Sequence, residues 1–447
     1  MQSKRASPLY QPFQPQTRRR KPRSFQRWRI WSESFTSRPA LPERKRTLAG
    51  RSTFVQPPAH EFELYIVCGD LPHLKAGLYH FGPGDFALRL LRAGDYRDVL
   101  AHATAGQESV VHAPVTVICA GTYWRNAWKY RARTYRHFGW DNGTMLANML
   151  AMTAALQLPS EVVLGFVDAE VNRLLGLDSE REAAFSMVSI GRVNTKPPGA
   201  PAEIPKLSFP TVPLSQTEVD YPELRRMHEA SSLESIEEVL EWRTQAKADI
   251  AGRNTSVHLP ISGGTEVTDT IEQVILRRGS ARKFERMPIA LEQLSTILNA
   301  STRAVWPGFP LLNDVYLIAN AVDGLTPGAY YYHPDNGSLE SLKQGNFRSE
   351  ARHLALQQDL GGDAAADVFF LADLNAILER FGNRGYRAVQ LEAGILGGKM
   401  YLASYAQRLG ATGLTFFDDD VTNFFSPHAK GKSAVFLVAL GKHRKGA

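Results

Sequence analysis

The sequence predicts an α+β chain of two tandem domains, each a mixed sheet flanked by helices, folded together as an intramolecular pseudo-dimer. The first observation is an internal repeat. Residues 77–97 (GLYHFGPGDFALRLLRAGDYR) and 328–348 (GAYYYHPDNGSLESLKQGNFR) are related by an offset of 251, with seven of twenty-one positions identical. The same offset pairs Tyr65 with Tyr316, Arg133 with Arg384, Tyr135 with Tyr386, Arg136 with Arg387 and Gly143 with Gly394. Two copies of a long unit point to a fused dimer rather than a solenoid. The second observation is the order of periodicities within each copy. Apolar strand-like runs (ELYIVC, VTVICA; DVYLIA, DVFFLA) alternate with short amphipathic stretches, a long helical stretch and a closing strand, which is the pattern of a sheet covered by helices.

Taken in order, residues 1–50 form a basic head. Through Arg51 the chain carries fourteen Lys/Arg and two acids, so the head holds +12 of a total of +7 and the remainder is −5. Its Arg, Pro, Gln and Ser content lacks any apolar period, which predicts disorder and a solvated tail rather than a nucleic-acid surface. Copy one spans 51–192. A bridge follows over 193–265, with six prolines between 197 and 213, too many for a helix or a central strand. The bridge then enters two helical stretches, YPELRRMHEASS and ESIEEVLEWRTQ. Copy two spans 266–447.

Bulk properties narrow the function class. At 447 residues and 43% apolar content the chain can bury real cores. No apolar run approaches the roughly 18 residues that span a bilayer, and no signal peptide is visible, so a cytoplasmic protein with no membrane contact is expected. The two cysteines, Cys68 and Cys119, lie in strand-like runs, which argues against disulfides, and the histidines show no ligand spacing, so no metal is expected.

The chemistry-bearing stretch is DTIEQVILRRGSARKF. Asp269 and Glu272 have capping-box spacing and predict a helix start, and Gly279 suits the position after its end. Arg277, Arg278, Ser280, Arg282 and Lys283 then follow closely, a pattern able to grip a phosphate with guanidinium forks and a hydroxyl. Later, Gly394, Gly397 and Gly398 fall at i, i+3 and i+4, baring one helix face to a close neighbour. Gly410 is expected to end that helix, and Gly413 to allow a tight approach.

Taken together these residues resemble the nitroreductase superfamily of FMN enzymes. The resemblance rests on Arg278, Ser280, Arg282 and Phe284, then the long helix at 392–409, Thr412-Gly413, and Asp418–Val421, all in order in copy two. It implies FMN held by Arg278, Ser280, Arg282, Thr412 and Gly413. The RSTFVQPP segment looks like the family's strap across the dimer, which adds Ser52 and Gln56 from copy one. Copy one lacks the clamp, so at most one FMN per chain is implied.

Two tandem copies joined by a Pro-rich bridge further resemble the SagB/ThcOx-type azoline dehydrogenases, which oxidise azoline rings in peptides to azoles. In that branch a Lys-Tyr pair precedes an Arg-x-x-x-Arg stretch, and here WKYRARTYR gives Lys129 and Tyr130; copy two has Arg380 and Phe381 in that register. The resemblance implies a peptide substrate, possibly delivered with a cyclodehydratase complex, and catalytic roles for Lys129 as base and Tyr130 as substrate holder or proton relay. Burial beside arginines is what would bring a lysine into a useful range. Two alternatives stand beside it: a generic NAD(P)H-dependent nitro- or quinone-reducing flavoenzyme, and a flavin-free scaffold in a peptide-modification complex.

Overall fold

The computed structural model describes residues 61–199, 203–207, 215–245, 257–258, 269–302, 305 and 311–443. The head, the strap residues Ser52 and Gln56, and the Ser-Gly-Gly at 262–264 lie outside the described residues.

The first half forms a six-stranded sheet from β1 (Phe62–Cys68), β2 (Gly77–Gly82), β3 (Ala87–Ala93), β4 (Val115–Thr122), β5 (Ser160–Val163) and β6 (Glu182–Ile190), in the order β3-β2-β1-β4-β6-β5. After a two-residue strand β7 (Val257–His258) and a small parallel pair, β8 (Ile289–Ala290) with β10 (Val322–Asp323), the second half repeats the design. Its strands are β9 (Asp314–Ala319), β11 (Gly328–His333), β12 (Ser338–Gln344), β13 (Ala366–Ala372), β14 (Gly410–Gly413) and β15 (Ser433–Gly441), in the order β14-β15-β13-β9-β11-β12, with β7 on the edge. The offset of the sequence repeat maps β2 onto β11, β3 onto β12 and β6 onto β15 residue for residue. Even the irregularities repeat: register shifts at Leu78/Tyr79 and Cys119/Ala120 recur at Ala329/Tyr330 and Phe370/Leu371. Near β5 and β14 the offset falls to 250 and recovers by β6.

The α+β duplication is therefore as expected, but the large sheets are antiparallel between all neighbours rather than mixed. The physical reason lies in the crossover. β4 and β5 do run the same way, but β6 inserts between them and pairs antiparallel with both.

Two long helices, Thr134–Ala155 and Arg384–Ala406, cross at the centre. A Cβ on Gly143 would lie 2.5 Å from Leu391 O, and one on Gly394 2.5 Å from Gly139 O, so the crossing needs glycine on both helices. Gly398 faces Thr144 and Ala147 in the same seam, whereas Gly397 faces Phe436 of β15. Trp140 Nε1 donates to Gln390 Oε1 across the crossing at 2.9 Å. One continuous apolar core runs from Leu64 through the central helices to Leu440, so the halves share an interior. A second cluster, including Val67, Leu78, Leu100 and Phe166, covers the other face of the first sheet.

Candidate functional site

The clamp segment begins with helix Ile271–Arg277. Its cap is Thr270 with Gln273, one residue later than the Asp269/Glu272 spacing suggested. Asp269 instead pairs with Arg277 at 2.7 Å and Arg408 at 2.9 Å, which removes Arg277 from the set of available cations. Gly410 also differs from expectation: the helix ends at Ala406, and Gly410 opens β14 against His443.

Downstream, the chain runs beside β14. Ser280 forms a parallel bridge with Ala411, and Ala281 N–H donates to Ala411 O at 2.9 Å. This brings Arg278, Ser280, Thr412 and Gly413 together. The Ser280 hydroxyl lies 3.2 Å from the Tyr401 hydroxyl, which also takes the Gly413 N–H. Arg282 and Lys283 are exposed beside them, and Phe284 is buried.

Arg278 is the informative residue. It is 5% exposed, and its Nε donates to Asn148 Oδ1, from the other half, at 2.8 Å. No carboxylate among the described residues pairs with it, and desolvation lowers its pKa. A buried cation without an anion is costly. This donor set fits an anionic group such as a phosphate.

Lys129 and Tyr130 end helix Trp124–Tyr130. Lys129 is exposed, with Nζ 4.7 Å from the Tyr130 ring centroid. The burial that its role as base required is therefore absent in the free chain. Tyr130 stacks on His137 with centroids 3.9 Å apart, and His137 sits 4.6 Å from Trp140. His137 was not legible as a site residue. It is buried with Nε2 lacking a partner among the described residues, and burial, then Arg133, Lys129 and Arg136, lower it to about 3, so the imidazole is neutral. Its only sequence signal is its place seven residues after Tyr130.

A cavity of about 420 Å³ opens here, lined by Tyr130 and Arg133 from copy one and by Leu356 and Thr415–Asp420 from copy two. Its floor is an ion cluster that crosses the halves: Arg133 meets Asp418 at 2.7 Å, and Arg136 meets the other oxygen of that carboxylate. Nε and Nη2 of Arg133 are buried with no partner among the described residues. The reciprocal cluster joins Arg384 and Arg387 to Asp168 at 2.7 and 2.8 Å and is fully buried. Burial alone would raise Asp168, but Arg384, Arg387 and His228 outweigh it and hold the carboxyl low.

Among the described residues no cluster suited to a metal ion occurs, and no helix is long and apolar enough to cross a membrane. Cys68 and Cys119 are both free and buried.

Comparisons with known proteins agree with this architecture. Residues 275–442 match the family model described as "Nitroreductase family". A Methanocaldococcus jannaschii protein named as a nitroreductase is 25% identical over 163 residues, 34% of this chain and 81% of its own. The crystal structure of an Anabaena variabilis protein named as a nitroreductase is 24% identical and overlays on 98% of this chain and 94% of its own, with a TM-score of 0.75. A chain of the E. coli microcin synthetase McbBCD complex overlays on 45% of this chain and 80% of its own, at 17% identity and a TM-score of 0.33. Residues 275–442 thus match the nitroreductase family, and the whole chain has the two-domain nitroreductase fold.

Proposed function

We propose that the protein is an FMN-dependent oxidoreductase of the SagB/ThcOx type that dehydrogenates azoline rings in a peptide. The observation that carries this reading is the cavity shared between the copies, with Tyr130 on one wall and the Thr415–Asp420 turn on the other. Arg278 would meet the FMN phosphate, with Ser280 and Arg282 beside it and Thr412-Gly413 along the adjoining strand. When bound, FMN supplies hydride acceptance. Azoline aromatisation also releases a proton, and Lys129 with Tyr130 stands where a bound peptide would cover the ammonium. Lys129 acts as base only under that cover, since it is exposed in the free chain. Neutral His137, stacked under Tyr130, holds that ring in place.

The first test is a visible spectrum of the full chain with the released cofactor identified by mass. FMN near one per chain, lost in Arg278→Gln, supports the clamp. A colourless protein that cannot be reconstituted overturns both enzyme readings and leaves the scaffold. Lys129→Ala that retains FMN and oxidises an azoline peptide at full rate refutes the base assignment. The exposure of Lys129 favours one second reading, a nitro- or quinone-reducing flavoenzyme that needs no lysine. Steady NAD(P)H consumption with a nitroaromatic, without azoline turnover, would establish it.

A further inference from the structure

The duplication supplies a filled counterpart of the open cavity. In the register of the repeat, Arg133, Thr415 and Asp418 correspond to Arg384, Gly165 and Asp168. That second position is occupied by the chain's own bridge. Leu233 forms a parallel bridge with Val167, donates its N–H to Asp168 Oδ2 at 2.9 Å, and accepts from Asp168 N–H at 3.1 Å. The Ser231 carbonyl takes Arg384 Nη1 at 2.9 Å. Trp242 fills the space over Gly165, where an added Cβ would meet its ring at 3.3 Å. Arg243 donates to the carbonyls of Thr104 and Ala105 at 3.3 and 3.0 Å. The Asp168 carboxylate, the Arg384 guanidinium and the space over Gly165 are thus all met by polypeptide.

The open cavity keeps the same floor without the filler. Asp418 presents a carboxylate on the corresponding cross-half arginine pair, and Nε and Nη2 of Arg133, whose counterparts on Arg384 donate to the Leu164 carbonyl rather than to the bridge, have no partner among the described residues. Two differences set the occupant's chemistry. Thr415 replaces Gly165, so an indole seated as Trp242 is would be crowded by the threonine side chain. Asp419 and Asp420 replace Ala169 and Glu170, which makes the rim more acidic.

We infer that the open cavity binds a segment of a second polypeptide in the register in which residues 231–243 fill its counterpart, extended where Leu233 pairs with Val167 and helical where Trp242 lies, with a small side chain over Thr415 and a cationic one at Asp419. The bridge is therefore both the plug of a second site and a template for the ligand of the first. This inference rests on the peptide reading of the proposed function and deepens it.

The probe is a fluorescein-labelled synthetic peptide of residues 228–245, with a second version carrying Trp242→Ala, titrated by anisotropy into the full chain and into Thr415→Gly. The Trp242→Ala peptide should bind the unsubstituted chain more tightly than the parent peptide. In Thr415→Gly that preference should reverse, a swing of about tenfold or more for seating one aromatic ring. Asp418→Asn should weaken both peptides. A peptide that merely displaced the native bridge would ignore Thr415, which lies only in the open cavity. Absence of saturable binding, or binding indifferent to Thr415, overturns the inference. FMN content measured on the same samples separates the claims: flavin lost with peptide binding intact fails the flavin reading alone, and flavin retained without peptide binding fails this one alone.

Discussion

Asp168 and Asp418 occupy corresponding positions in the two copies, and each holds a pair of arginines from the opposite copy, so the same substitution can be made twice in one molecule. Asp168→Asn keeps an oxygen for the Leu233 N–H but removes the charge between Arg384 and Arg387, whose side chains are 1% and 0% exposed. Stripping the partner from a buried ion cluster costs about 3–5 kcal/mol. Asp418→Asn acts on side chains that are 23–32% exposed, where water compensates and the cost is about 1 kcal/mol or less. Urea unfolding of the two variants and the parent at neutral pH measures the gap directly. The pH dependence has a definite sign. The folded-state carboxyl of Asp168 is held below its ordinary value, so its contribution is complete above the unfolded value of about 3.9 and disappears as pH falls through the folded one. The parent should therefore lose its advantage over Asp168→Asn in acid. Equal costs for the two substitutions, or an Asp168→Asn cost under about 1 kcal/mol, would refute the claim that burial separates the two clusters.

Three other outcomes are expected. Gly394→Ala places a Cβ 2.5 Å from Gly139 O and should lower stability by about 1–3 kcal/mol in the same assay, whereas Gly279→Ala, with nothing within 4 Å, should stay within about 0.5 kcal/mol. Burial raises Glu392 to about 7 despite hydrogen bonds from Asn313 and Leu312. The folded state thus binds the extra proton, and stability should fall as pH rises from about 4.3 toward that value; Glu392→Gln should flatten this stretch of a melting-temperature profile. Burial pushes the Cys68 and Cys119 thiols up to about 11 and 12, so Ellman's reagent at pH 8 should find no native thiol and two after denaturation, and rapid native labelling would contradict their packing.

The repeat made much of the fold legible, because strands locked by neighbours on both sides keep their register, bulges included. The grouping of Arg278, Ser280, Thr412 and Gly413 was legible for a similar reason: Ser280 and Ala281 are tied by backbone to Ala411, so residues in one short motif stay together. What escaped depended on distant partners. Asp269 looked like a cap but is taken by Arg277 and Arg408, a contact 139 residues long. A base role for Lys129 required burial beside arginines, yet Arg133 and Arg136 turn to Asp418 while the lysine is exposed. The bridge helices were visible as helices, but their destination over Asp168 is a tertiary fact with no local signature. Ser52 and Gln56 fall outside the described residues.

The helix crossing carries a consequence for the history of the chain. Gly139 and Gln390 are counterparts, and each fits only the other: Gln390 fills the space that a Cβ on Gly139 would take, 2.4 Å away, and its amide holds Trp140. In a symmetric dimer of separate chains both positions would carry the same residue. Two first copies would meet glycine to glycine and leave a gap, and two second copies would collide glutamine to glutamine. The halves have therefore specialised at this seam until neither is a matched mate for itself, and a free homodimer of either half would need its own seam residue changed.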